Sequence, residues 1–309
     1  MDVSIIIVNW NSVDYLRACI SSIRENTRDA SVEVVVVDND SPAGDAGVLG
    51  LEFPDITLIK SDKNLGFAGA NNLGFRRSSG KFVLFLNPDT KLVTPAIDLM
   101  LARMQALPDA GVVGCQLLNR DLSVQTSSIM RFPTILGRLL EFERFRLRCP
   151  RLWGIGPLFS TSAEPVSVQV ISGACMLVGR EAFEKVGMFS DDFFMYAEDT
   201  DLCYKMKRAG FANYYVGGAK IVHYGGQSSN PDWALKMKVK SELLFCSKNR
   251  GPLFASAFRV ALICNAIGRL GAVACIWPLT GLIGRREELK ATSAKWCSIL
   301  KVLVEHHSV

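Results

Sequence analysis

Ser4-Ile5-Ile6-Ile7-Val8, followed by Val13, Leu16, Ile20 and Ile23 at helical spacing, decides how this chain folds. The run does not alternate with polar residues, as a strand covered on both faces requires, and a helix follows it directly. Val32 to Val37 repeats the strand pattern and ends in Asp38-Asn39-Asp40-Ser41-Pro42. Those turn formers stand at the strand's carboxyl end, the edge where open parallel sheets bind ligands. Ile56 to Ile59 reads as a third strand. Lys81 to Leu86 reads as a fourth, after a helix-compatible stretch from Gly69 to Ser79. The order predicts an α/β fold with a mostly parallel central sheet flanked by helices.

A second alternating block begins near Val112 and resumes, beyond an irregular basic stretch, with Val166 to Val178. Ala212 to Val216 and Lys220 to His223 read as two short strands. From Pro231 the pattern is helical to the end, which predicts a body over 1–230 and a helical C-terminal extension over 231–309. No internal repeat or low-complexity tract interrupts it.

With 309 residues and 49% hydrophobic composition the chain can bury one large core with an appendage. A formal charge of +5 is too small to argue for nucleic acid. Basic residues nevertheless cluster between Arg131 and Arg151 and between Lys236 and Lys248, which suits a negatively charged surface or substrate. Nine cysteines without a C-x-x-C pair or repeated spacing argue against a disulfide framework and a zinc module, and for a reducing compartment. The N-terminus lacks the basic start and cleavage site of a signal peptide, so a cytoplasmic location is expected.

Three constellations carry chemistry. In Phe193-Phe194-Met195-Tyr196-Ala197-Glu198-Asp199-Thr200-Asp201-Leu202-Cys203-Tyr204 an apolar run ends in three carboxylates. By itself this is the acidic first turn of a helix that Gly210 closes. Leu86-Asn87-Pro88-Asp89-Thr90 follows an apolar strand and reads either as an ordinary capping turn or as a carboxylate placed for Mg²⁺ or Mn²⁺, which take few protein oxygens plus substrate phosphates. Asp62 to Gly74 is rich in glycine and asparagine and leads into a helix, as a loop that cradles a diphosphate would, although it matches neither the P-loop nor G-x-G-x-x-G. His223 is the one imidazole available to the folded body, since His306 and His307 lie in the last four residues.

Taken in order, Ile7-Val8-Asn9-Trp10-Asn11, Val37-Asp38-Asn39-Asp40-Ser41, the segment Asn64 to Gly74, Leu86 to Thr90, Ser172-Gly173-Ala174, Phe194 to Asp201 and His223 resemble the family 2 glycosyltransferases, in particular their rhamnosyltransferase-like branch. The resemblance implies a GT-A fold, with a nucleotide-sugar half over 1–110 and an acceptor and catalytic half over 111–230, and an inverting transfer from a nucleotide sugar. It implies donor contacts from Val8, Asn9, Trp10, Asp38, Asn39, Asn64, Gly66, Phe67, Asn71, Asn87 and Asp89, and acceptor contacts from Gly173, Glu198 and Asp201, the last two holding acceptor hydroxyls or orienting the loop. Asp89 is the last member of the family's D-x-D-like metal turn. Because Asn87 stands where a first carboxylate is usual, His223 becomes the second ligand of the Mg²⁺ or Mn²⁺ ion. Asp199 takes the place of the catalytic base, with Glu198 beside it.

The resemblance favours dTDP-rhamnose as donor through its N-L-G-F-A-x-A-N pattern; a UDP-hexose stays open, because uracil and thymine present the same hydrogen-bonding edge. A silent glycan-binding protein would keep this fold without needing Asp199, and a nucleotidyltransferase would leave Glu198 and Asp199 without a role.

Arg131 to Trp153 mixes Arg131, Arg138, Arg144, Arg146, Arg148 and Arg151 with Leu136, Leu139, Leu140, Phe142, Phe145, Leu147, Leu152 and Trp153. Such a stretch can lie on an anionic bilayer, grip an acceptor diphosphate, or be a solvated helix with one core face. Leu253 to Ile283 is apolar but interrupted by Arg259, Arg269 and Pro278, and reads as an interfacial or buried helical pair rather than a span. Both segments suit a polyprenyl-diphosphate-linked glycan acceptor and a peripheral place on the cytoplasmic face of the membrane.

Overall fold

The computed structural model describes residues 1–42, 47–139, 148–151, 153–159, 164–225, 230–279 and 286–305. The chain divides into two compact units, Met1–Phe132 with Arg148–Ser228, and Pro133–Leu147 with Ser229–Val309.

The first unit is built on a nine-stranded sheet. Its early part runs β1 (Val3–Asn9), α1 (Val13–Asn26), β2 (Val32–Asp38), α2 (Gly47–Glu52), β3 (Thr57–Lys60), α3 (Gly66–Arg76), β4 (Phe82–Leu86), β5 (Thr90–Leu92), α4 (Ala96–Ala106), β6 (Ala110–Leu118) and β7 (Ile129–Met130). After α5 (Ile135–Leu139), which belongs to the second unit, come β8 (Val166–Val168), β9 (Val170–Ile171), β10 (Cys175–Gly179), α6 (Arg180–Lys185), α7 (Glu198–Arg208) and β11 (Ala212–His223). The strand order is β3-β2-β1-β4-β10-β6-β11-β5, with β8 also on β11, while β7 and β9 form a separate pair. Strands β3, β2, β1, β4, β6 and β11 run one way; β10, β5 and β8 run the other.

Side-chain alternation divides the core between the two faces of the sheet. Ile5, Ile7, Leu84 and Leu177 share a buried cluster with Leu16, Ile20 and Ile23 of α1 and Met100 of α4. Phe85, on the opposite pleat from Leu84, meets Phe183 and Phe189 at ring-centroid distances of 5.0 and 4.7 Å, and Phe183 meets Phe75 of α3 at 4.9 Å.

Two expectations change here. Ala212 to Val216 and Lys220 to His223 are not two strands but the two ends of β11, joined by a register shift between Val216 and Lys220. Gly217-Gly218 breaks the apolar pattern without ending the strand, as a bulge does. Val166 to Val178 is not one block either. It is cut into β8, β9 and β10, and Ser172-Gly173-Ala174 forms the turn before β10.

In the second unit α8 (Pro231–Arg250), α9 (Pro252–Ile276) and α10 (Arg286–Glu305) pack on one another and α9 packs on α5. Arg138 of α5 pairs with Glu242 of α8, so this arginine of the basic stretch serves internal packing; residues 140–147 and 152 lie outside the described residues. In place of the expected helical pair, α9 is a single helix of 25 residues, and among the described residues it is the one long and apolar enough to cross a membrane. Its charges do not disqualify it. Arg259 donates to the Leu303 carbonyl at 2.8 Å and Arg269 lies over the Trp296 ring, both on α10, while Leu253, Val260 and Ile267 recur on the exposed side seven residues apart.

One buried amide staples α3 to the loop that leads into α7. Asn72, fully buried, donates to the Phe189 carbonyl at 2.9 Å and to Asp191 at 2.8 Å and accepts from the Phe189 N–H at 3.2 Å. Asn72→Leu should leave the Phe189 backbone groups unsatisfied and cost about 2–3 kcal/mol in urea unfolding.

Candidate active site

The carboxyl ends of β1, β2, β4 and β11 lie on one edge of the sheet and deliver Asn9, Asp38, the Asn87-Pro88-Asp89 turn and His223 there. Because β10 runs against β4, its beginning reaches the same edge and brings Gly173 and Ala174 with it. Two backbone bonds then join distant segments. The Asn87 N–H donates to the Ala174 carbonyl at 3.0 Å, and the Gly173 N–H donates to Asp199 Oδ2 at 3.0 Å.

His223 is set opposite Thr90 by the pairing of β11 with β5, and the next residue, Tyr224, donates its N–H to the Asp89 carbonyl at 2.9 Å. Its Nε2 stands 3.5 Å from Asp89 Oδ1 and 3.3 Å from Asn87 Nδ2. Its Nδ1 stands 2.9 Å from Gln125 Oε1. Gln125 Nε2 donates to the His223 carbonyl and to Asn119 Oδ1, each at 3.0 Å, so Oε1 must be the acceptor toward the ring. Assigned from this network, the neutral imidazole carries its proton on Nδ1, and its Nε2, 3.5 Å from Asp89 Oδ1, accepts from Asn87 Nδ2 at 3.3 Å. The pair Asp89 and His223 fits Mg²⁺ or Mn²⁺ that takes its other ligands from water and phosphate oxygens. Among the described residues no group of three His, Cys, Asp or Glu side chains is placed to hold a metal ion by itself.

The acidic segment enters α7 through Tyr196 (φ +67°) and Ala197 (φ +63°), two successive left-handed residues that carry a Cβ. Strain of that kind persists where the surroundings hold it and collects at functional sites. Asp199 Oδ1 accepts from the Thr200 N–H at 2.6 Å and its hydroxyl at 3.1 Å, while Oδ2 accepts from Gly173. Glu198 has a different environment. It is buried, its Oε2 has no hydrogen-bond partner, and burial together with Asp199 and Asp201 holds its pKa far above the usual carboxylate range. It is therefore a neutral acid and cannot serve as base. Asp201 is fully buried, accepts from Ser190 Oγ at 2.7 Å and lies 3.6 Å from Lys205 Nζ. Contact with an acceptor, expected for Asp201, does not fit that burial; orienting the loop before α7 does.

The donor side is a frame of buried amides. Asn9 Nδ2 donates to Asp38 Oδ1 at 3.0 Å and to Ser41 Oγ at 3.2 Å, and Ser41 Oγ donates to the same Asp38 oxygen at 2.6 Å. Asn39 donates to Asn64 Oδ1 and the Gly66 carbonyl and accepts from the Leu65 N–H. Asn71 donates to the Phe67 carbonyl one turn back in α3. With Asn9, Asn39 and Asn71 almost wholly buried and used internally, they shape the pocket rather than touch its contents; Val8 and Trp10 are half-buried at its rim.

The diphosphate cradle expected at the start of α3 is not there. The N–H groups of Leu65, Gly66 and Phe67 donate to Asn39, Asn64 and the Phe194 carbonyl, which leaves none of the three for an anion. Gly66 has another purpose. At φ +70°, a Cβ there would stand 2.2 Å from the Phe194 oxygen, so glycine lets the acidic segment's backbone close onto α3. Phe67 ends beside Gly173 and Asp199, where a Cβ on Gly173 would lie 3.7 Å from its ring and 3.4 Å from the Asp199 Cβ.

The profile of the family described as Glycosyl transferase family 2 matches residues 4–187. The chain belongs to this family. It is a glycosyltransferase, similar over 276 residues at 27% identity to N-acetylglucosaminyl-diphospho-decaprenol L-rhamnosyltransferase of Mycobacterium tuberculosis, with 84% of this chain and 88% of the relative aligned. Rhamnosyltransferase WbbL of Escherichia coli is 24% identical over 261 residues, covering 80% of this chain and 94% of the relative. Among solved structures, mannosyltransferase PcManGT from Pyrobaculum calidifontis in complex with GDP-Man and Mn²⁺ superposes with a TM-score of 0.63 at 16% identity, over 98% of this chain and 86% of that one. That likeness shows the GT-A fold expected above.

In this glycosyltransferase the residues that sequence reasoning missed support others. Gln125 fixes His223, Asn72 fixes the loop before α7, and Thr200 fixes Asp199. A lone glutamine in Ser123-Val124-Gln125-Thr126 carries no signal in the sequence. The pair Asn71-Asn72 does, since two adjacent amides inside a helix need a reason.

Glu198 gives a pH test. Its folded pKa is raised, so its contribution to stability is full below the unfolded carboxyl value and is lost as pH climbs past it, because the unfolded state ionises first. Glu198→Gln is neutral throughout. Its Tm relative to the native chain should rise in calorimetry as pH climbs above the unfolded carboxyl value, and a difference independent of pH would remove the neutral assignment.

Proposed function

We propose that this chain is an inverting, divalent-cation-dependent rhamnosyltransferase that moves L-rhamnose from dTDP-rhamnose to a hydroxyl of a lipid-diphosphate-linked glycan during cell-surface polysaccharide synthesis. The observation that carries the reading is the Gly173-Ala174 turn, which ties Asp199 on one side to the Asn87-Pro88-Asp89 turn and His223 on the other. The names of the Mycobacterium tuberculosis and Escherichia coli relatives support rhamnose, and the decaprenyl diphosphate in the first supports the acceptor class. The Mn²⁺ in the mannosyltransferase complex supports a divalent cation.

The chemistry follows from which carboxylate is placed and charged to accept a proton. An acceptor hydroxyl must lose its proton as its oxygen attacks the anomeric carbon from the face opposite the nucleotide diphosphate, and the bond to that diphosphate breaks as the new glycosidic bond forms. Glu198 is already protonated and Asp201 is fully buried, which leaves Asp199 to take the proton. The Gly173 and Thr200 donors hold its two oxygens in place. When bound at Asp89 and His223, a cation supplies positive charge to the departing diphosphate. Gln125 fixes the His223 ring with its Nε2 on the side of Asn87 and Asp89. Asp38 and the half-buried Val8 and Trp10 hold the nucleotide end, with Asn9, Asn39, Asn64, Gly66 and Asn71 behind them.

The apolar exposed side of α9 and the basic residues of α8 support a chain that works in the cytoplasm against the inner face of the membrane, where a lipid-linked acceptor presents its sugar.

Asp199→Asn should lower turnover by about 10²- to 10⁴-fold while sugar-nucleotide affinity stays within about twofold; unchanged turnover would remove Asp199 from the role of base. Gln125→Leu should weaken Mn²⁺ binding, read by calorimetric titration, by about 10- to 100-fold, the range for a residue that orients a ligating imidazole. In a panel of sugar nucleotides with Mn²⁺, dTDP-rhamnose alone should raise Tm and be slowly hydrolysed; a response to a UDP-hexose instead would replace the donor.

A further inference from the structure

The catalytic unit has a second cavity, of about 520 Å³, away from the edge just described. It is walled by the first residues of β11, by β8, by Arg131 just after β7, by Arg151 and Gly154, and by Lys207 in the last turn of α7. Since β11 ends at His223, the cavity beside Ala212 and Asn213 lies toward the opposite edge of the sheet.

Three cations face it, and among the described residues that line it there is no Asp or Glu. Their stems are supported. Arg131 lies along Gly154, where a Cβ would stand 3.0 Å from its Cγ and Cδ, and Gly154 is held at φ +69°. Arg151 lies against Gly156, where a Cβ would stand 3.3 Å from its Cγ, and Lys207 Nζ stands 5.6 Å from the Phe132 ring. Part of the Lys207 charge answers the carbonyl end of α7. An ordinary solvated basic face would spread its cations among carboxylates on a convex surface. Here they share one concave wall, which focuses the field on an anion.

Two rulers relate this cavity to Asp199. Lys207 stands eight residues farther along α7, about 12 Å by helical rise. Gln169 stands four residues before Gly173, which Asp199 touches, about 13 Å of extended chain. The cavity is therefore within reach of one extended ligand whose other end is at the base.

We infer that this cavity binds a diphosphate group through Arg131, Arg151 and Lys207, and, resting on the transferase reading above, that the diphosphate is the acceptor's own, held while its sugar hydroxyl lies at Asp199. Arginine supplies the planar fork that grips phosphate oxygens in pairs, and lysine a third charge.

The test titrates the full chain with inorganic pyrophosphate in a chelator, which suppresses binding at Asp89 and His223, and repeats it for Arg131→Gln and for the double variant Arg151→Gln with Lys207→Gln. Binding should weaken at least tenfold in each, with Tm unchanged. With an N-acetylglucosaminyl diphosphate carrying a short prenyl chain, the double variant should raise the acceptor KM about tenfold and leave donor hydrolysis untouched. Weakened pyrophosphate binding with an unaltered acceptor KM overturns the acceptor assignment in favour of a free phosphorylated ligand. Equal pyrophosphate affinity in the native chain and both variants overturns the site. If no sugar nucleotide is turned over, the transferase reading fails by itself, and the pyrophosphate titration still decides the cavity.

Discussion

Two hydrogen bonds from one short turn hold the site together. Gly173 and Ala174 sit where β9 gives way to β10, and β10 is the strand that runs against its neighbours in the middle of the sheet. A parallel strand in that position would have delivered its end to the ligand edge and its beginning to the far side. Reversal brings the beginning of β10 to the edge instead. The turn can then accept from Asn87 on one flank and donate to Asp199 on the other. A Cβ at 173 would meet Asp199 and Phe67 at ordinary contact distance, so both side chains pack directly on this turn.

Around that turn three acidic side chains, adjacent or nearly so in sequence, have separate physical states. Asp199 is ringed by donors; Glu198 is buried with an oxygen unpaired and stays neutral; Asp201 is fully enclosed with Ser190 and Lys205. Were all three ionised and clustered, their mutual repulsion would work against the left-handed turn at Tyr196 and Ala197. The closure of Phe194 onto Gly66, and of Phe189 onto Asn72, supplies the tertiary contacts that hold this turn.

How much of this was legible in the sequence follows from the range of each interaction. Continuous apolar runs at Ile5 to Val8 and Val32 to Val37 announce buried parallel strands, because burial on both faces removes alternation. The reversed β10 gives no such signal, since direction in a sheet is set by partners far away in the chain. Asp89, Asp199 and His223 could be named because carboxylates and a lone imidazole at strand and helix ends are chemically conspicuous. Glycine and asparagine in 64–74 misled by their usual association with anions. Their structure shows that Gly66 and Asn72 answer to packing against Phe194 and Phe189, neither of which is near in sequence. Gln125 was invisible for the same reason, being tied to His223 across nearly a hundred residues. Arg259 and Arg269 read as interruptions of the apolar segment, whereas both turn to α10 and the helix runs unbroken from Pro252 to Ile276.

The central claim is that Asp89 and His223 hold a cation at the diphosphate end of the same cleft in which Asp199 waits for a hydroxyl. The most direct measurement is anomalous scattering at the manganese edge from crystals grown with Mn²⁺ and dTDP. The account predicts one strong peak bonded to the Asp89 carboxylate and His223 Nε2 and to diphosphate oxygens, with Asp199 across the open sugar site and free of metal. A peak bound by Glu198 and Asp199, or a nucleotide bound with no metal at Asp89 and His223, would contradict it.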